Sequence, residues 1–312
     1  MKDEPVPPVA TNEIYEGLRP LMFSIAYRIL GSVSEAEDVV QEAFLRFHRT
    51  VAQGKEIESP KAFLATATTR LAIDAVRSAR AKHEAYVGVW LPEPLAISLE
   101  PDPAEHAEMS DSLSLAFLVL LQTLSPVERA VFVLREVFDY DYDEIAKIVQ
   151  KSEDNCRQIF ARAKKRIDAG KPRFDVNPEE QRELANRFFD AAGRGDMTHL
   201  VEFLAADAAF YGDGGGKAHA YPRPVVGRRL VALIFKSLFK SARDLGATIQ
   251  FALVNGQPGA VSFDTEGRVI SVLALVIADG AIQAVHSIVN PDKLTHLGFP
   301  VSDRARINRG DA

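Results

Sequence analysis

Hydrophobic and polar residues alternate with helical periodicity through the first quarter of the chain. In the segment 34–49 apolar residues recur every three or four positions, which is typical of an amphipathic helix. Ser34 and Glu37 match the capping pattern that starts such a helix. Pro60 suits the first position of another helix with the same spacing. Residues 12–80 therefore predict a helical domain.

The periodicity stops after this domain and then returns. Residues 81–111 are rich in proline and have no sustained period, so they predict a linker. Residues 112–172 return to helical spacing, and Ser125 before Pro126 is a typical helix start. Asp141 begins a further helix by the same capping logic. A second all-helical domain is therefore expected.

The pattern changes again beyond the second helical domain. Segments 178–193 and 227–243 predict amphipathic helices. Strand-like runs cover Ala208–Tyr211, Thr248–Val254, Ala260–Asp264, Val269–Ile277 and Ile282–Val289. Asn-Gly, Glu-Gly and Asp-Gly pairs separate the later runs and predict hairpins. We expect an α+β domain over 176–298, with helices on a long antiparallel sheet and a short tail at 299–312.

Residues 141–166 predict a short helix, a tight turn and a longer basic helix. This is the pattern of a helix-turn-helix, whose second helix reads the major groove of DNA. Gln150 lies in the turn, where glycine is common because the backbone needs positive φ. The polar residues expected to face outward are Asn155, Arg157, Gln158, Arg162 and Lys165. Such residues suit base edges and phosphates, but an ordinary helical hairpin with a solvated basic face fits the same pattern.

Composition and charge narrow the class of protein. The chain has 312 residues, 47% of them hydrophobic, and a net charge of −6, which suits two or three packed domains. Basic residues are concentrated in 61–83 and 151–173, whereas 93–111 contains acids and no lysine or arginine. Basic segments of this kind are typical of nucleic-acid contacts, although a solvated surface is the commoner explanation.

Other sequence features exclude several classes of function. A single cysteine, Cys156, excludes an internal disulfide, fits a reducing cytosol, and is expected to pack in a core. The start of the chain does not look like a signal peptide, and the longest apolar run, 115–121, is too short to span a bilayer. We find no phosphate loop, metal-ligand pattern or nucleophile motif. The expected protein is soluble and intracellular, without cofactor or catalysis.

Three segments resemble initiation factors of the sigma-70 family. The stretch SEAEDVVQEAFLRFHR at 34–49 resembles the polymerase-docking helix of sigma region 2. The stretch RLAIDAVRSAR at 70–80 resembles the helix of that region that holds the promoter −10 element. The stretch LSPVERAVFVLRE at 124–136 leads into the helix-turn-helix as in sigma region 4. The chain is thereby identified as a member of the extracytoplasmic-function class.

Three further motifs resemble one subgroup of that class. They are WLPEPL at 90–95, DGGGK at 213–217 and NPDKL at 290–294. The subgroup carries a C-terminal SnoaL-like domain, a cone-shaped α+β fold shared with nuclear transport factor 2. The expected architecture is two all-α sigma domains followed by this cone.

The resemblance implies partners and contact residues. Core RNA polymerase, through its beta and beta-prime subunits, would bind Glu35, Asp38, Gln41 and Glu42. The −10 element would contact Lys61, Arg70, Arg77 and Arg80, and the loop 53–59 would capture a flipped base. The −35 element would contact the outward residues of the basic helix. An internal pair with Arg70 or Arg77 is the simpler explanation for Asp74.

The resemblance also implies control in cis, without a separate anti-sigma protein. The implied contact residues are Trp90, Leu91, Pro92, Glu93, Pro94, Leu95, Asp213, Gly214, Gly215, Gly216, Lys217, Asn290, Pro291, Asp292, Lys293 and Leu294. Flexible backbone for such a contact is our interpretation of the glycines in DGGGK. The acidic stretch 93–111 fits either a nucleic-acid mimic inside the polymerase or a plain solvated tether.

Two other functions of the C-terminal domain stay open. It could be an enzyme, with Asp213 and His286 as candidate acid–base groups and Asp264 as a weaker one. It could also sense a small ligand inside the cone. For the whole chain, the competing hypothesis is a regulator that binds DNA without polymerase.

Overall fold

The computed structural model divides the chain into two compact units. It describes residues 8–98, 113–170 and 177–298. The first unit comprises residues 8–82 and 120–170, and the second comprises 83–98, 113–119 and 177–298. Most of the acidic stretch and the tail at 299–312 lie outside the described residues, so neither interpretation of that stretch is tested.

The first unit is built from helices, as predicted. The helices that form or enter it are α1 (Pro8–Leu30), α2 (Val33–Ala52), α3 (Pro60–Glu84), α4 (Leu115–Leu121), α5 (Pro126–Glu136), α6 (Tyr142–Val149) and α7 (Glu153–Gly170). Helix α2 buries its apolar stripe against α1, with Val40, Ala43 and Phe47 almost fully enclosed. The helical spacing in the sequence thus marks the buried side of each helix.

The cap of α2 lies two residues earlier than predicted. Ser32 has extended backbone angles, and its hydroxyl accepts a hydrogen bond from the Glu35 amide at 3.2 Å. Ser34 is already inside the helix. Glu37, the expected capping partner of Ser34, instead pairs with Arg19 of α1 at 2.7 Å. The prediction of Ser34 was wrong because the capping pattern occurs twice in this segment and only Ser32 has the required backbone.

Helices α6 and α7 form the predicted helix-turn-helix. The Glu144 carboxylate accepts from the Asp141 amide at 3.0 Å, and Ser152 Oγ accepts from the Asn155 amide at 3.3 Å. Gln150 adopts the left-handed conformation, with φ of 56° and ψ of 53°. The turn therefore has the positive φ that is usual in a helix-turn-helix, but a glutamine is strained in this conformation.

Replacing Gln150 with glycine is expected to stabilise the first unit by about 0.5–1 kcal/mol, because glycine adopts positive φ without a Cβ clash. Chemical denaturation followed by circular dichroism would measure this gain. A Lys151→Gly substitution, next to the turn, is the control and should destabilise or have no effect. Equal destabilisation by both changes would contradict the strain at Gln150.

The second unit combines three helices with one sheet. Its remaining elements are β1 (Ala96–Ser98), α8 (Pro178–Arg194), α9 (Met197–Phe203), β2 (Leu204–Asp213), β3 (Val225–Val226), α10 (Arg228–Asp244), β4 (Thr248–Val254), β5 (Gln257–Phe263), β6 (Val269–Ala278) and β7 (Ala281–Ile288). All five predicted strand runs overlap strands, and the runs ending at Asp264 and Val289 each extend one residue past the strand. The hairpin signals are also confirmed, since Asn255 and Asp279 adopt positive φ, each directly before a glycine that does so too.

The sheet is mixed rather than antiparallel. Its strand order is β1-β4-β5-β6-β7-β2-β3, and β2 runs parallel to β7. Strands β4 to β7 form the predicted antiparallel meander. The prediction failed for β2 because its neighbour lies far along the chain, and no local pattern encodes such a pairing.

The linker is also more ordered than predicted. Ala96, Ile97 and Ser98 form strand β1, which pairs with β4 at the edge of the sheet. The run is too short to show a period of two in the sequence. The linker thus contributes a strand to the C-terminal fold.

The two faces of the sheet pack against different partners. One face packs against α8, α9 and α10 around Phe188, Phe235 and Phe210. The other face packs against linker and α4 residues, including Leu91 and Leu115. The linker is therefore part of the hydrophobic core of the second unit.

None of the described helices combines the length and apolar character that crossing a bilayer requires.

Candidate functional site

A buried polar cluster joins the linker to one end of the sheet. Asp213 ends β2 and is fully buried, and Lys293, in a short turn after β7, is only 6% exposed. Leu91 of the linker is 1% exposed. Tyr86 and Asn290 complete the cluster. We call Tyr86, Leu91, Asp213, Asn290 and Lys293 the linker clasp.

Asp213 is the centre of the linker clasp. Its Oδ2 accepts hydrogen bonds from the Leu91 amide at 2.8 Å and from Lys293 Nζ at 2.7 Å. Its Oδ1 accepts from the Tyr86 hydroxyl. Lys293 Nζ also donates to the Leu91 carbonyl. Both buried charges are thus paired and hydrogen-bonded, which is the condition for holding ions in a protein interior.

Two aromatic rings of the linker surround the Lys293 ammonium. Nζ lies 4.0 Å from the ring centroid of Trp90 and 4.8 Å from that of Tyr86. These are cation–π distances, and the interaction strengthens when the cation is desolvated. Burial lowers the pKa of Lys293, opposed by the Asp213 carboxylate. Burial, followed by the nearby Asp213 charge, raises the pKa of the Tyr86 phenol.

The glycines of DGGGK are explained by the close approach of a neighbouring side chain rather than by a need for flexible backbone. Gly215 has a φ of +57°, and a Cβ there would overlap the Asn290 side chain. Asn290 Nδ2 donates to the Tyr86 hydroxyl at 2.9 Å, so displacing it would disturb the clasp. Lys217 Nζ pairs with Asp292 at 2.6 Å on the surface. DGGGK and NPDKL are therefore tied to each other as well as to the linker.

A second contact holds the linker four residues further on. Asn255 Oδ1 accepts from the Leu95 amide at 2.9 Å, and the Asn255 amide donates to the Leu95 carbonyl at 2.7 Å. Asn255 Nδ2 donates to the Leu113 carbonyl at 2.9 Å. His296 Nε2 lies 2.7 Å from the Pro94 carbonyl oxygen. The C-terminal domain thus binds the linker at Leu91 and at Leu95, on both sides of Pro92 and Pro94.

The structure brings the three subgroup motifs into one place. Each of the segments 90–95, 213–217 and 290–294 contributes at least one residue to these contacts. The sequence did not identify Tyr86, Asn255 or His296 as contacts. Asn255 had a signal only as a turn residue, and the other two had none.

The basic helix α7 presents the predicted polar face. Asn155, Gln158 and Arg162 are exposed, as are Arg157 and Lys165. Arg157 pairs with Glu153 at 3.2 Å. The opposite side of the helix is buried and includes Cys156, Ile159, Ala163 and Ile167. Burial raises the pKa of the Cys156 thiol, which agrees with a packing role.

The predicted −10 residues fall into three groups. Lys61 and Arg77 are exposed, and Arg77 pairs with Asp74 at 3.2 Å, as expected for Asp74. The side chain of Arg80 lies outside the described residues. Arg70 donates to the Ile148 carbonyl and the Lys147 carbonyl, both at 2.8 Å. Arg70 therefore binds the C-terminal end of α6, where a cation is favourable.

A second arginine connects another pair of helices in the first unit, α5 and α1. Arg129 of α5 is 3% exposed and donates to the Ile29 carbonyl at 2.6 Å. Burial lowers its pKa to about 10, so it stays charged at neutral pH. No pattern in the sequence indicated this contact, because Arg129 lies in an amphipathic helix where an exposed arginine would be ordinary.

The predicted polymerase residues lie on one side of α2. Glu35, Asp38 and Gln41 are exposed, whereas Glu42 is half-buried and pairs with Arg46 at 2.8 Å. Leu45 lies at the end of this side and is 49% exposed. The side therefore presents acidic groups beside one apolar side chain.

The candidate acid–base residues do not meet in a cavity. A cavity of about 310 Å³ lies between α10 and the sheet, and none of the three candidates lines it. Asp213 is engaged in the clasp, and Asp264 pairs with Arg268 at 2.7 Å. His286 is buried beside Tyr211, and burial lowers its pKa to about 4. Within the described part of the chain, no group of side chains could hold a metal ion.

Comparisons with known proteins agree with this arrangement. Three family models match: Sigma-70 region 2 over residues 14–82, Sigma-70 region 4 over 114–167, and a SnoaL-like domain over 185–293. The chain is 35% identical over 299 residues to the ECF RNA polymerase sigma factor SigJ of Mycobacterium tuberculosis, covering 93% of this chain and 94% of that protein. It is 26% identical over 300 residues to SigG of the same species, covering 88% and 79%.

A solved structure shows the same fold. The crystal structure of the extracytoplasmic-function sigma factor SigJ of Mycobacterium tuberculosis matches with a TM-score of 0.71 and 34% identity. The match covers 90% of this chain and 97% of that one. The chain belongs to the extracytoplasmic-function sigma factors of the sigma-70 family and carries a fused C-terminal SnoaL-like domain.

Proposed function

We propose that the C-terminal domain controls the sigma factor in cis by holding the linker between regions 2 and 4. The linker clasp is the observation that carries this proposal. Asp213 and Lys293 of the C-terminal domain bind both main-chain groups of Leu91, so the linker cannot leave without exposing two buried charges. A domain that fixes this linker limits how regions 2 and 4 can be placed on polymerase and promoter.

The partners are core RNA polymerase and promoter DNA, in the cytoplasm. The exposed acidic side of α2 would dock on the beta and beta-prime subunits through Glu35, Asp38, Gln41 and Glu42, with Leu45 as an added apolar contact. The exposed side of α7 would read the −35 element. Lys61, Arg77 and Arg80 would contact the phosphates of the −10 element. A separate anti-sigma protein is then not needed for control.

Arg70 has two alternative partners in this account. Its guanidinium binds the carbonyls that end α6, and a DNA phosphate would compete for the same donors. Because α6 belongs to the helix-turn-helix, contact of Arg70 with the −10 element requires its release from region 4. The arrangement described here is therefore a resting one, which promoter engagement opens.

The C-terminal domain acts as a regulator rather than as an enzyme. General acid–base catalysis needs a titratable group within hydrogen-bonding reach of a bound substrate. Asp213 is instead engaged in the linker clasp, Asp264 in an ion pair with Arg268, and His286 is buried in the domain. Mixing the protein with ring-ketone isomerase substrates should give no turnover, and measurable turnover would contradict this assignment.

The proposed function is tested by mixing the full chain with core polymerase. We expect it to co-purify with the core enzyme, and the mixture to start transcripts at a defined set of sites on genomic DNA, mapped by sequencing. A charge reversal at Asp38 should weaken core binding roughly tenfold. A reversal at Glu202, exposed on α9, is the matched control. Specific DNA binding without any core binding would show a polymerase-independent regulator instead.

Residues of α7 should differ in how they affect −35 binding. Gln158→Ala is expected to cost about 1–3 kcal/mol on the preferred sequence and to relax preference at one base pair. Lys165→Ala should weaken binding to all sequences alike and reduce the salt dependence of affinity by about one unit of slope. Titration of labelled promoter duplexes with holoenzyme at several salt concentrations measures both. Identical profiles for the two variants would contradict the predicted reading face.

A further inference from the structure

A row of aromatic side chains connects the core of region 4 to the surface near the basic helix α7. Phe132 of α5 is 2% exposed, and its ring stacks on that of Phe160 with the centroids 5.9 Å apart. The rings of Phe160 and Tyr142 meet edge to face, with centroids 6.1 Å apart and an interplanar angle of 71°. Aromatic rings prefer these two arrangements. The Tyr142 ring is therefore anchored to a packed core.

The Tyr142 ring is also tied to the end of α5. Tyr142 is the first residue of α6, directly after the Asp141 cap. The guanidinium carbon of Arg135, in α5, lies 5.2 Å from the centroid of its ring. Arg135 also donates to the Tyr140 carbonyl at 2.9 Å and pairs with Asp139 at 3.3 Å. The ring is thus fixed by contacts with residues of three helices, α5, α6 and α7.

Arg157 of α7 lies over the same ring. Its guanidinium carbon is 4.6 Å from the Tyr142 ring centroid, which is a cation–π distance. Its Nη2 donates to Glu153 Oε2 at 3.2 Å, one turn earlier on α7. The Arg157 side chain nevertheless stays 55% exposed. Arg157 is therefore held in one orientation while it remains accessible to a partner.

The ring constrains Arg157 more than the carboxylate does. Glu153 is 48% exposed, and an exposed ion pair between residues one turn apart holds its side chains only weakly. A planar guanidinium stacks well on an aromatic face. Because this face is anchored to the core, it gives Arg157 a rigid surface to lie on.

The place of Arg157 on α7 connects this stack to DNA recognition. Arg157 is the fifth residue of the helix, and the N-terminal residues of a recognition helix contact base edges. An arginine reads guanine by donating two hydrogen bonds to its O6 and N7 atoms, which requires an aligned guanidinium plane. A side chain that is held before binding loses less conformational freedom when DNA arrives.

We propose that Tyr142 is a positioning residue for recognition of the −35 element, because its ring aligns the Arg157 guanidinium with the edge of a guanine. This inference rests on the proposed function of α7 as the reader of that element. Tyr142 acts through Arg157 and need not contact DNA itself. Loss of the ring should therefore weaken recognition of one base pair rather than binding to all DNA alike.

The positioning is measured first without DNA, by NMR relaxation of the arginine Nε–Hε groups in the full chain. In the wild type we expect Arg157 to have an order parameter S² above about 0.6, the limit below which groups are flexible. Tyr142→Leu, or Tyr142→Gln as a second variant without a ring, should lower S² below this limit. Tyr142→Phe keeps the ring and should preserve it. Equal S² for Arg157 in the wild type and in the variants without a ring would overturn the proposal.

The consequence for DNA is measured by titrating labelled −35 duplexes with holoenzyme. Arg157→Ala first identifies the base pair at which preference is lost. Tyr142→Leu should weaken binding to the preferred sequence about three- to tenfold and relax preference at that same base pair. Tyr142→Phe should match the wild type. In the Arg157→Ala background, Tyr142→Leu should have little further effect, because the two residues act as one unit.

Arg162→Ala is the matched control, since Arg162 lies about one and a half turns further along the same helix. Its effect should add to that of Tyr142→Leu. Additive losses for Tyr142→Leu with Arg157→Ala, or equal weakening on every sequence, would overturn the positioning role and leave the reading role of α7 standing. Unchanged binding by Arg157→Ala on every sequence would instead overturn both the inference and the reading role of Arg157.

Discussion

Replacing Asp213 with alanine is expected to release the linker and to destabilise the second unit by about 3–5 kcal/mol, because a buried ammonium loses the carboxylate to which it donates a hydrogen bond. Lys293 is 6% exposed and would keep a carbonyl, two aromatic rings and the nearby charge of Glu93. The Leu91 amide would lose its acceptor as well. Denaturant unfolding of the C-terminal domain measures the stability, and hydrogen exchange at Leu91 measures the release.

Two matched variants separate the clasp from general destabilisation. Lys217→Ala removes the exposed pair with Asp292 from the same motif and should cost about 0–1 kcal/mol. The double change Asp213→Leu with Lys293→Met removes both charges and should recover most of the stability but not the hydrogen bond to Leu91. If Asp213→Ala behaved like Lys217→Ala, the buried ion pair would not be what holds the linker.

Acidification is expected to destabilise the second unit through His286. This side chain is fully buried, and burial lowers its pKa from 6.5 to about 4. As the pH falls below 6.5 the unfolded chain binds a proton that the folded chain does not bind until about pH 4. Stability due to this residue is therefore complete above pH 6.5 and is lost progressively down to pH 4, by roughly 3 kcal/mol.

The contribution of His286 can be isolated by substitution. His286→Gln should flatten the pH dependence of the unfolding free energy in this window. The aspartate and glutamate side chains continue to titrate in both proteins. His219→Gln removes an exposed histidine and should leave the slope unchanged. Identical slopes for wild type and His286→Gln would show that the folded protein protonates His286 as readily as the unfolded chain does.

The elements of the fold were largely predictable because their signals are local. Helical spacing, proline at helix starts and Asn-Gly turns act within a few residues, so the helices and the meander β4–β7 emerged from the sequence. The parallel contact of β2 with β7 and the pairing of β1 with β4 did not. Both depend on residues far apart in the chain, and neither leaves a local pattern.

The site was predictable only as far as its motifs reach. The resemblance named Asp213, Lys293 and Leu91, and the structure shows how they bind one another. The contact of Asn255 with the linker was missed because the Asn-Gly turn already accounted for an asparagine at this position. The internal contacts of Arg70 and Arg129 were missed. Each arginine donates to a main-chain carbonyl of another helix, and the sequence around the arginine does not show which helix packs beside it.

Transcription by core polymerase with wild-type, Lys217→Ala or Asp213→Ala chain tests the central claim most directly. The template is a promoter found by sequencing the transcripts that the holoenzyme starts, and the output is normalised to sigma bound to core. If the C-terminal domain acts through the linker, Asp213→Ala should change specific output several-fold, while Lys217→Ala should match wild type. Equal output from all three proteins, with the linker released in Asp213→Ala by hydrogen exchange, would contradict control in cis.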